Sequence, residues 1–307
     1  MIEDIKHLQR VIGKYEGNHK GPLFLVTAGV HGNEPSGVEA LQRVFAELEK
    51  TKPAMKGVLL GLSGNLQALR KGKRFIEEDL NRTWTEANIR NADPESQEQR
   101  EMHEIISILE QHPEDAYEKR FFLDCHTTSS ESLPYISVQD VNDNDQWAHR
   151  FPTYIVRGFS DIIYGAIDHY LSRTGLTGFT FEAGQHTSTT SLENHEGMIW
   201  LALREACGVE LEKLSCFPDC VDRFAKKNAP DQKTFEIIHR HEIRKGDEFK
   251  MEPGFKNFQK IQKGEKLAVN NGKALLSQWD GYIFMPLYQS QGNDGFFVIQ
   301  DVENLTA

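Results

Sequence analysis

The chain has 307 residues, of which 38% are hydrophobic and 26% are charged, as in ordinary soluble globular proteins. Its formal net charge of −11 and the lack of an extended basic segment argue against nucleic acid or an anionic membrane as partner, whereas a small anionic substrate remains compatible. There is no signal-peptide pattern or membrane-length apolar run, and four cysteines are too few for a disulfide scaffold. We therefore expect a cytoplasmic protein with reduced thiols.

The first strand–helix unit lies at residues 23–50. An apolar run over 23–30 predicts a buried strand, and apolar residues at helical spacing predict a helix from about 35 to 50. His31 and Glu34 lie in the short loop between them. Open α/β sheets place ligand sites at this end of a strand. We therefore expect this imidazole and carboxylate to converge on one cation, and Zn²⁺ accepts both ligand types.

The rest of the first 210 residues alternates between strand and helix patterns. This alternation predicts an α/β fold with a mixed, mostly parallel sheet flanked by helices. Strands are predicted at 11–13, 57–62, 121–126, 134–139 and 178–184, and helices at 96–111, 161–171 and 195–206, with a short turn at 66–70 capped by Asn65.

The pattern changes beyond residue 210. Short β-like runs follow one another, and Asn271-Gly272 and Asp280-Gly281 are turn signals between them. We therefore predict two domains, one at 1–210 and a small all-β domain at 211–307.

His126 is the natural third metal ligand. It ends the predicted strand at 121–126, as His31 follows its own strand, and strand ends of one sheet can lie side by side. Asp124 lies two residues earlier and points to the same face, so we expect it to orient a ligand. A catalytic zinc site typically takes three protein ligands and leaves its fourth position to water.

Four segments of the chain carry a resemblance to a known family. They are, in order, His31-Gly-Asn-Glu34, Asp79-Leu-Asn81-Arg82, Asp124-Cys-His126-Thr-Thr-Ser and Glu182-Ala-Gly-Gln. Together they resemble the aspartoacylase and succinylglutamate desuccinylase family, which belongs with the zinc carboxypeptidases. The resemblance runs over residues 23–200 and implies a zinc-carboxypeptidase-like fold with one Zn²⁺ per chain. It also implies that 1–210 is the catalytic domain and that the β domain at 211–307 walls the active site.

The resemblance also implies the roles of the site residues. Zinc is expected on His31, Glu34 and His126. Glu182 is expected to be the general base and proton shuttle, which suits a carboxylate at a strand end close to a metal.

Three further residues take their roles from the same resemblance. Arg74 is expected to polarise the scissile carbonyl and stabilise the oxyanion. Asn81 and Arg82 are expected to hold the substrate's α-carboxylate, a task that suits a guanidinium group.

Two further substrate-binding positions match the family pattern less closely. Arg173 lies near the place of the family's arginine for the side-chain carboxylate, although it equally fits an exposed helix end. Tyr288 is a candidate for the family's C-terminal tyrosine, and Phe296-Phe297 is the alternative occupant of that position.

The expected activity is zinc-dependent hydrolysis of the amide bond of a small anionic N-acyl amino acid, that is, deacylation at a carbon–nitrogen bond other than a peptide bond. The alternatives are a zinc carboxypeptidase acting on peptides or cell-wall peptides, and a non-catalytic metal-binding module. An ester or an acylated amine also remains open as a substrate. A homodimer is a possible assembly.

Overall fold

A computed structural model describes residues 7–160, 162–214, 219–228 and 232–302. Within these ranges, most strands belong to one large mixed sheet with helices on both faces. The strands are β1 (Val11–Glu16), β2 (His19–Ala28), β3 (Lys56–Ser63), β4 (Arg120–Thr128), β5 (Tyr135–Ser137), β6 (Tyr154–Arg157), β7 (Thr177–Gln185), β8 (Thr234–Glu242), β9 (Phe249–Met251), β10 (Gln259–Ile261), β11 (Lys266–Asn270), β12 (Lys273–Leu276), β13 (Gly281–Phe284) and β14 (Asp294–Asp301).

The helices alternate with the strands through the first part of the chain. None of them, within the described ranges, is long and apolar enough to cross a membrane. They are α1 (Ser36–Thr51), α2 (Leu66–Lys71), α3 (Glu86–Arg90), α4 (Gln97–Leu109), α5 (Asn144–Ala148), α6 (Ile167–Arg173), α7 (Thr189–Cys207) and α8 (Asp219–Asn228).

The strand order of the large sheet is β1-β3-β2-β4-β7-β5-β6-β8-β14-β13-β10. The central neighbours β3, β2, β4 and β7 run parallel, and so do β5, β6 and β8. The edge strand β1 and the strands beyond β8 pair in antiparallel fashion. This arrangement confirms the predicted mixed sheet with a mostly parallel centre.

Strand β2 shows why the centre of the sheet is buried on both faces. Leu23 and Leu25 pack into a cluster with Met102 of α4, whereas Phe24 and Val26 pack into the cluster on the opposite face that contains α1 and α7. Successive side chains of a strand point to opposite faces, so a continuous apolar run predicts a strand covered on both sides.

Strand β8 pairs with β6, so four of the strands beyond residue 210, namely β8, β14, β13 and β10, extend the large sheet. A separate small sheet has the order β12-β11-β9. Asn271 and Gly272 join β11 to β12 with φ angles of 51° and 74°, as the predicted two-residue turn requires. Asp280 instead precedes β13, which pairs with β10 and β14.

The structure differs from the predicted helices at three places. Helix α7 begins at Thr189, before the predicted start at residue 195. Helix α8 was not predicted, and it packs on α7 at Gly197, where a Cβ atom would lie 2.9 Å from the carbonyl oxygen of Cys220. Helix α6 begins only at Ile167, after Gly165 with a φ of 78°. Residue 161, where the predicted helix began, and Cys216 lie outside the described ranges.

Candidate metal centre and active site

His31 and Glu34 lie in the turn between β2 and α1. The backbone N–H of Glu34 donates to the carbonyl of His31 over 3.1 Å, which closes the turn. Pro35 then stands directly before α1, where a missing N–H costs no helical hydrogen bond. Both side chains are buried, and His31 Nδ1 lies 2.9 Å from Glu34 Oε1.

His126 joins these two residues from the neighbouring strand. Strand β4 runs parallel to β2, with Ala28 opposite Cys125, so His126 lies beside the β2–α1 turn. Its Nδ1 is 3.3 Å from Glu34 Oε2. One ligand atom from each of His31, Glu34 and His126 lies within 4.8 Å of the other two. The three predicted ligands therefore meet.

The outer nitrogen of each imidazole faces a carboxylate. His31 Nε2 lies 3.0 Å from Asp79 Oδ1, and His126 Nε2 lies 2.8 Å from Asp124 Oδ2. Such partners fix the orientation and tautomer of metal-binding histidines. Two imidazoles held in this way and one carboxylate match the donor set of a catalytic zinc site. Asp124 was predicted from its spacing, whereas the contact of Asp79 was not.

The charges of the three side chains are strongly coupled. Burial raises the pKa of Glu34, but the neighbouring His31 and His126 outweigh burial and hold that pKa well below its ordinary value. Burial lowers the pKa of His126, but Asp124 and Glu34 outweigh it and hold that pKa well above the ordinary value. The centre therefore keeps an anionic carboxylate between the rings.

Glu182 lies directly beside the centre. Glu182 lies on β7 directly beside His126 of the neighbouring strand β4, and its side chain is buried. Burial raises the pKa of Glu182 to about 8, with the charge of Glu34 adding to the rise and that of His126 opposing it. Oε2 of Glu182 has no hydrogen-bond partner in the described part of the chain. A carboxyl group that titrates near neutral pH suits proton transfer.

Tyr135 is a neighbour of Glu182 that the sequence analysis missed. It lies opposite Glu182 in the antiparallel pair of β5 and β7, and it lines the same cavity. Burial, together with the charge of Glu182, holds the pKa of Tyr135 well above its ordinary value. Its phenol is therefore neutral. Only the β5–β7 pairing brings the two residues together, so local sequence carried no signal for it.

Arg74 faces the three candidate metal ligands from the loop after α2. Its guanidinium lies 2.9 Å from Asp79 Oδ2 and 3.7 Å from Glu34 Oε1. Burial lowers the pKa of Arg74, but the charges of Asp79 and Glu34 outweigh burial and raise it. The side chain is therefore a fixed positive charge beside the three ligands.

The fully buried Glu98 of α4 holds the loop that carries Arg74. Its carboxylate accepts hydrogen bonds from the backbone N–H groups of Ile76, Glu77 and Glu78 over 2.8, 3.2 and 3.3 Å, and from the Asn65 amide over 2.9 Å. Nothing in the local sequence marked Glu98, because every one of these partners lies more than one helix turn away in the chain.

Asn81 and Arg82 follow Asp79 in a single turn. Asn81 Oδ1 accepts the backbone N–H of Ile167 over 3.0 Å, which joins this turn to the start of α6. Arg82 Nη2 lies 2.8 Å from Asp294 Oδ2 at the start of β14. Both residues line the cavity described below.

A cavity of about 420 Å³ opens beside the three candidate ligands. That volume is typical of small-molecule sites. Residues beyond 210 form part of its lining, and one of them, Gln289, accepts a hydrogen bond from Asn33 over 3.1 Å. The lining includes His31, Glu34, Arg74, Asp79, Asn81, Arg82, His126, Tyr135, Ser137, Gln139, Asp168, Thr180, Glu182, Met285, Leu287, Gln289, Asp294 and Phe297.

The structure corrects the predictions for Arg173 and Tyr288, which both lie outside this cavity. The Arg173 side chain is 56% exposed at the end of α6 and points to Glu86, 3.8 Å away. The Tyr288 hydroxyl donates to the carbonyl of Glu252 over 2.7 Å, away from the cavity. Of the alternative pair, Phe297 lines the cavity, whereas Phe296 stacks on His241.

Comparison with known proteins bears directly on the family. Residues 20–197, more than half of the chain, match the family model described as the succinylglutamate desuccinylase/aspartoacylase catalytic domain. The chain belongs to the succinylglutamate desuccinylase/aspartoacylase family. A curated succinylglutamate desuccinylase of Pseudomonas fluorescens (strain Pf0-1) is 30% identical over 112 residues, or 36% of this chain and 32% of the relative. The matched stretch thus spans about a third of that relative's length.

Solved structures of the family share the fold over most of this chain, although their sequence identity with it is low. A succinylglutamate desuccinylase/aspartoacylase from Rhodobacter sphaeroides superposes with a TM-score of 0.66 at 18% identity, over 94% of this chain and 88% of that one. The ectoine utilization protein EutE (DoeB) from Ruegeria pomeroyi superposes with a TM-score of 0.65 at 19% identity, over 93% and 86%. These similarities establish the fold.

Proposed function

We propose that this family member is a zinc-dependent amidohydrolase that removes the acyl group from a small N-acyl amino acid. The observation that supports this most directly is the meeting of His31, Glu34 and His126 within 4.8 Å, with Glu182 on the adjacent strand. A metal site alone is a binding module; a base with a raised pKa beside it is what hydrolysis additionally requires.

The proposed mechanism assigns the proton transfers to Glu182. A bound Zn²⁺ would supply polarisation of the amide carbonyl and acidification of a water molecule. The unpartnered Oε2 of Glu182 accepts a proton from the attacking water and later donates it to the leaving amine. Breaking the C–N bond then releases a carboxylate and an amino acid.

Arg74 is assigned to the developing oxyanion. Its guanidinium is oriented by Asp79 before substrate arrives, and a fixed positive charge stabilises a charge that forms only in the transition state. Asp79 also contacts His31, so one carboxylate positions both an expected metal ligand and an expected catalytic cation.

Asn81 and Arg82 are assigned to the α-carboxylate of the amino acid. Arg82 contributes a planar donor group at the cavity surface, and a carboxylate would compete with Asp294 for it. Residues between 285 and 297, including Leu287 and Gln289, line the cavity. We propose that this wall excludes peptides, which distinguishes the deacylase from a carboxypeptidase with an open groove.

The function is tested with purified protein whose zinc content is measured. A panel of N-acetyl and N-succinyl amino acids is incubated with the protein, and release of the free amino acid is followed. We expect hydrolysis of at least one member, near-complete loss in Glu182→Gln, and unchanged metal content in that variant. The exposed Glu110→Gln, directly after α4, is the control and should retain activity.

Two results would contradict the proposal. Equal activity in Glu182→Gln would remove Glu182 from the mechanism. A metal-loaded protein without activity on any member of the panel would favour the metal-binding module, and preference for peptides would favour the carboxypeptidase.

The cytoplasmic location is also part of this proposal. Cys125, Cys207 and Cys220 are buried free thiols, as expected in a reducing compartment. The homodimer stays a prediction.

A further inference from the structure

The ionisable groups of the cavity do not match a substrate with several carboxylates. Only two guanidinium groups line it, those of Arg74 and Arg82, and no lysine does so among the residues the structure describes. Seven acidic residues contribute to the same lining: Glu34, Glu77, Glu78, Asp79, Asp168, Glu182 and Asp294. Even a bound divalent cation would leave acidic groups in excess.

Both guanidinium groups already have carboxylate partners. Arg74 lies 2.9 Å from Asp79, and Arg82 lies 2.8 Å from Asp294. Asp294 in turn accepts from Arg240 over 2.6 Å. One substrate carboxylate can share Arg82, but a second carboxylate would find no unpaired guanidinium or ammonium group among the described lining residues and would meet like charges.

Asp168 lines the cavity close to the expected position of the α-carboxylate. The backbone N–H of Ile167, the residue before it, donates to Asn81 Oδ1, so Asp168 adjoins the expected α-carboxylate position at Asn81 and Arg82. Its carboxyl group lines the cavity although the residue is only 5% exposed.

The carboxyl group of Asp168 has neutral donors and no cation. Its Oδ2 accepts from the Gln139 amide and its Oδ1 from the backbone N–H of His169, each over 2.8 Å. No described lysine, arginine or histidine forms an ion pair with it. Burial raises the pKa of Asp168, and the hydrogen bond from Gln139 opposes the rise. A carboxylate in such a place is stabilised by an arriving cation.

We propose that the substrate is an N-acyl amino acid whose side chain ends in an amino group, and that Asp168 binds this ammonium. This inference rests on the proposed deacylase function and deepens it. It also replaces the expected anionic substrate with one that carries a single carboxylate. Asp168 is thus a specificity-determining residue, and Gln139 positions it.

The test uses three substrates of similar size: Nα-acetylornithine, N-acetylglutamine and N-acetylglutamate. We expect the kcat/KM of the ornithine compound to exceed that of the glutamate compound by about tenfold or more, the effect of one charge-assisted hydrogen bond. An equal or higher kcat/KM for the glutamate compound would overturn the inference while leaving the deacylase function intact.

A variant separates recognition from a structural role. Asp168→Asn should abolish the preference for the ornithine compound and keep the kcat/KM for the glutamine compound within about threefold. The exposed Asp93, which is not among the lining residues, gives the matched control Asp93→Asn, which should change neither value. An equal loss on all three substrates in Asp168→Asn would show that Asp168 acts only on the fold, and would overturn the inference.

A binding measurement distinguishes failure of this inference from failure of the function. Free ornithine and free glutamate are titrated calorimetrically into the wild-type protein. We expect tighter binding of ornithine, and loss of that difference in Asp168→Asn, whether or not any substrate of the panel turns over. Tighter binding of glutamate would contradict the inference.

Discussion

Glu182 is a carboxylic acid in a place where its charged form is poorly solvated. It is buried, it adjoins the anionic Glu34, and its pKa is raised to about 8. Between its ordinary pKa near 4.5 and pH 8, the folded chain holds a proton that the unfolded chain has released. The stability contributed by this group is therefore fully present below about pH 4.5 and is lost as the pH rises through 8.

The substitution Glu182→Gln should consequently stabilise the metal-free protein at alkaline pH. We expect the free energy of unfolding at pH 9 to rise on the order of 2–4 kcal/mol relative to wild type, because each pKa unit corresponds to about 1.4 kcal/mol. Thermal melts of chelator-treated protein at pH 4.5 and pH 9 measure this difference. If the melting temperatures of wild type and variant changed equally between the two pH values, this prediction would be refuted.

At the scale of the elements, the sequence predicted which residues meet at the ends of neighbouring strands. His31 and His126 each follow or end an apolar run, so their meeting follows from a parallel sheet. The contact between Asp79 and His31, the buried Glu98 and the Tyr135–Glu182 pairing depend on how distant segments pack. Periodicity cannot specify such contacts.

Sequence spacing also cannot fix the direction of a side chain. Arg173 lies near Glu182 in the chain, but it ends helix α6 and points to Glu86. The residue of that helix that lines the cavity is Asp168, in its first turn. The helix both starts and ends later than predicted, at Ile167 and Arg173.

The loop that carries Arg74 depends on helix α4 through Glu98. We expect Glu98→Gln to destabilise the protein by about 2–3 kcal/mol, because hydrogen bonds to a buried charge are lost and an amide replaces an acceptor. We also expect faster hydrogen exchange confined to residues 72–79 and a lower kcat at unchanged metal affinity. Glu110→Gln, at the residue directly after this helix, is the control. Unchanged exchange in the loop would show that Glu98 does not hold it.

At the scale of the whole molecule, one sheet runs through both parts of the chain. Strand β8 pairs with β6, and Phe235 and Phe297 share a buried cluster with Tyr135 and Val156. The predicted boundary at residue 210 therefore lies within a continuous sheet and core.

A fragment ending at residue 232 should fold poorly. Removal of β8 to β14 would expose the edge of β6 and the apolar cluster around Tyr135, and such edges promote aggregation. Size-exclusion chromatography and circular dichroism of the fragment measure this. A monomeric fragment with a cooperative melt would instead establish an independent first domain.

The position of Glu34 has a consequence for how the protein uses metal. Its two oxygens already contact both imidazoles and also accept the backbone N–H of Thr127 over 2.8 Å, so the ligands are assembled within a folded chain. A divalent ion that binds this folded arrangement and not the unfolded chain would stabilise the protein by mass action. The dependence of folding on metal supply would then be one of degree, set by the free ion concentration relative to its Kd.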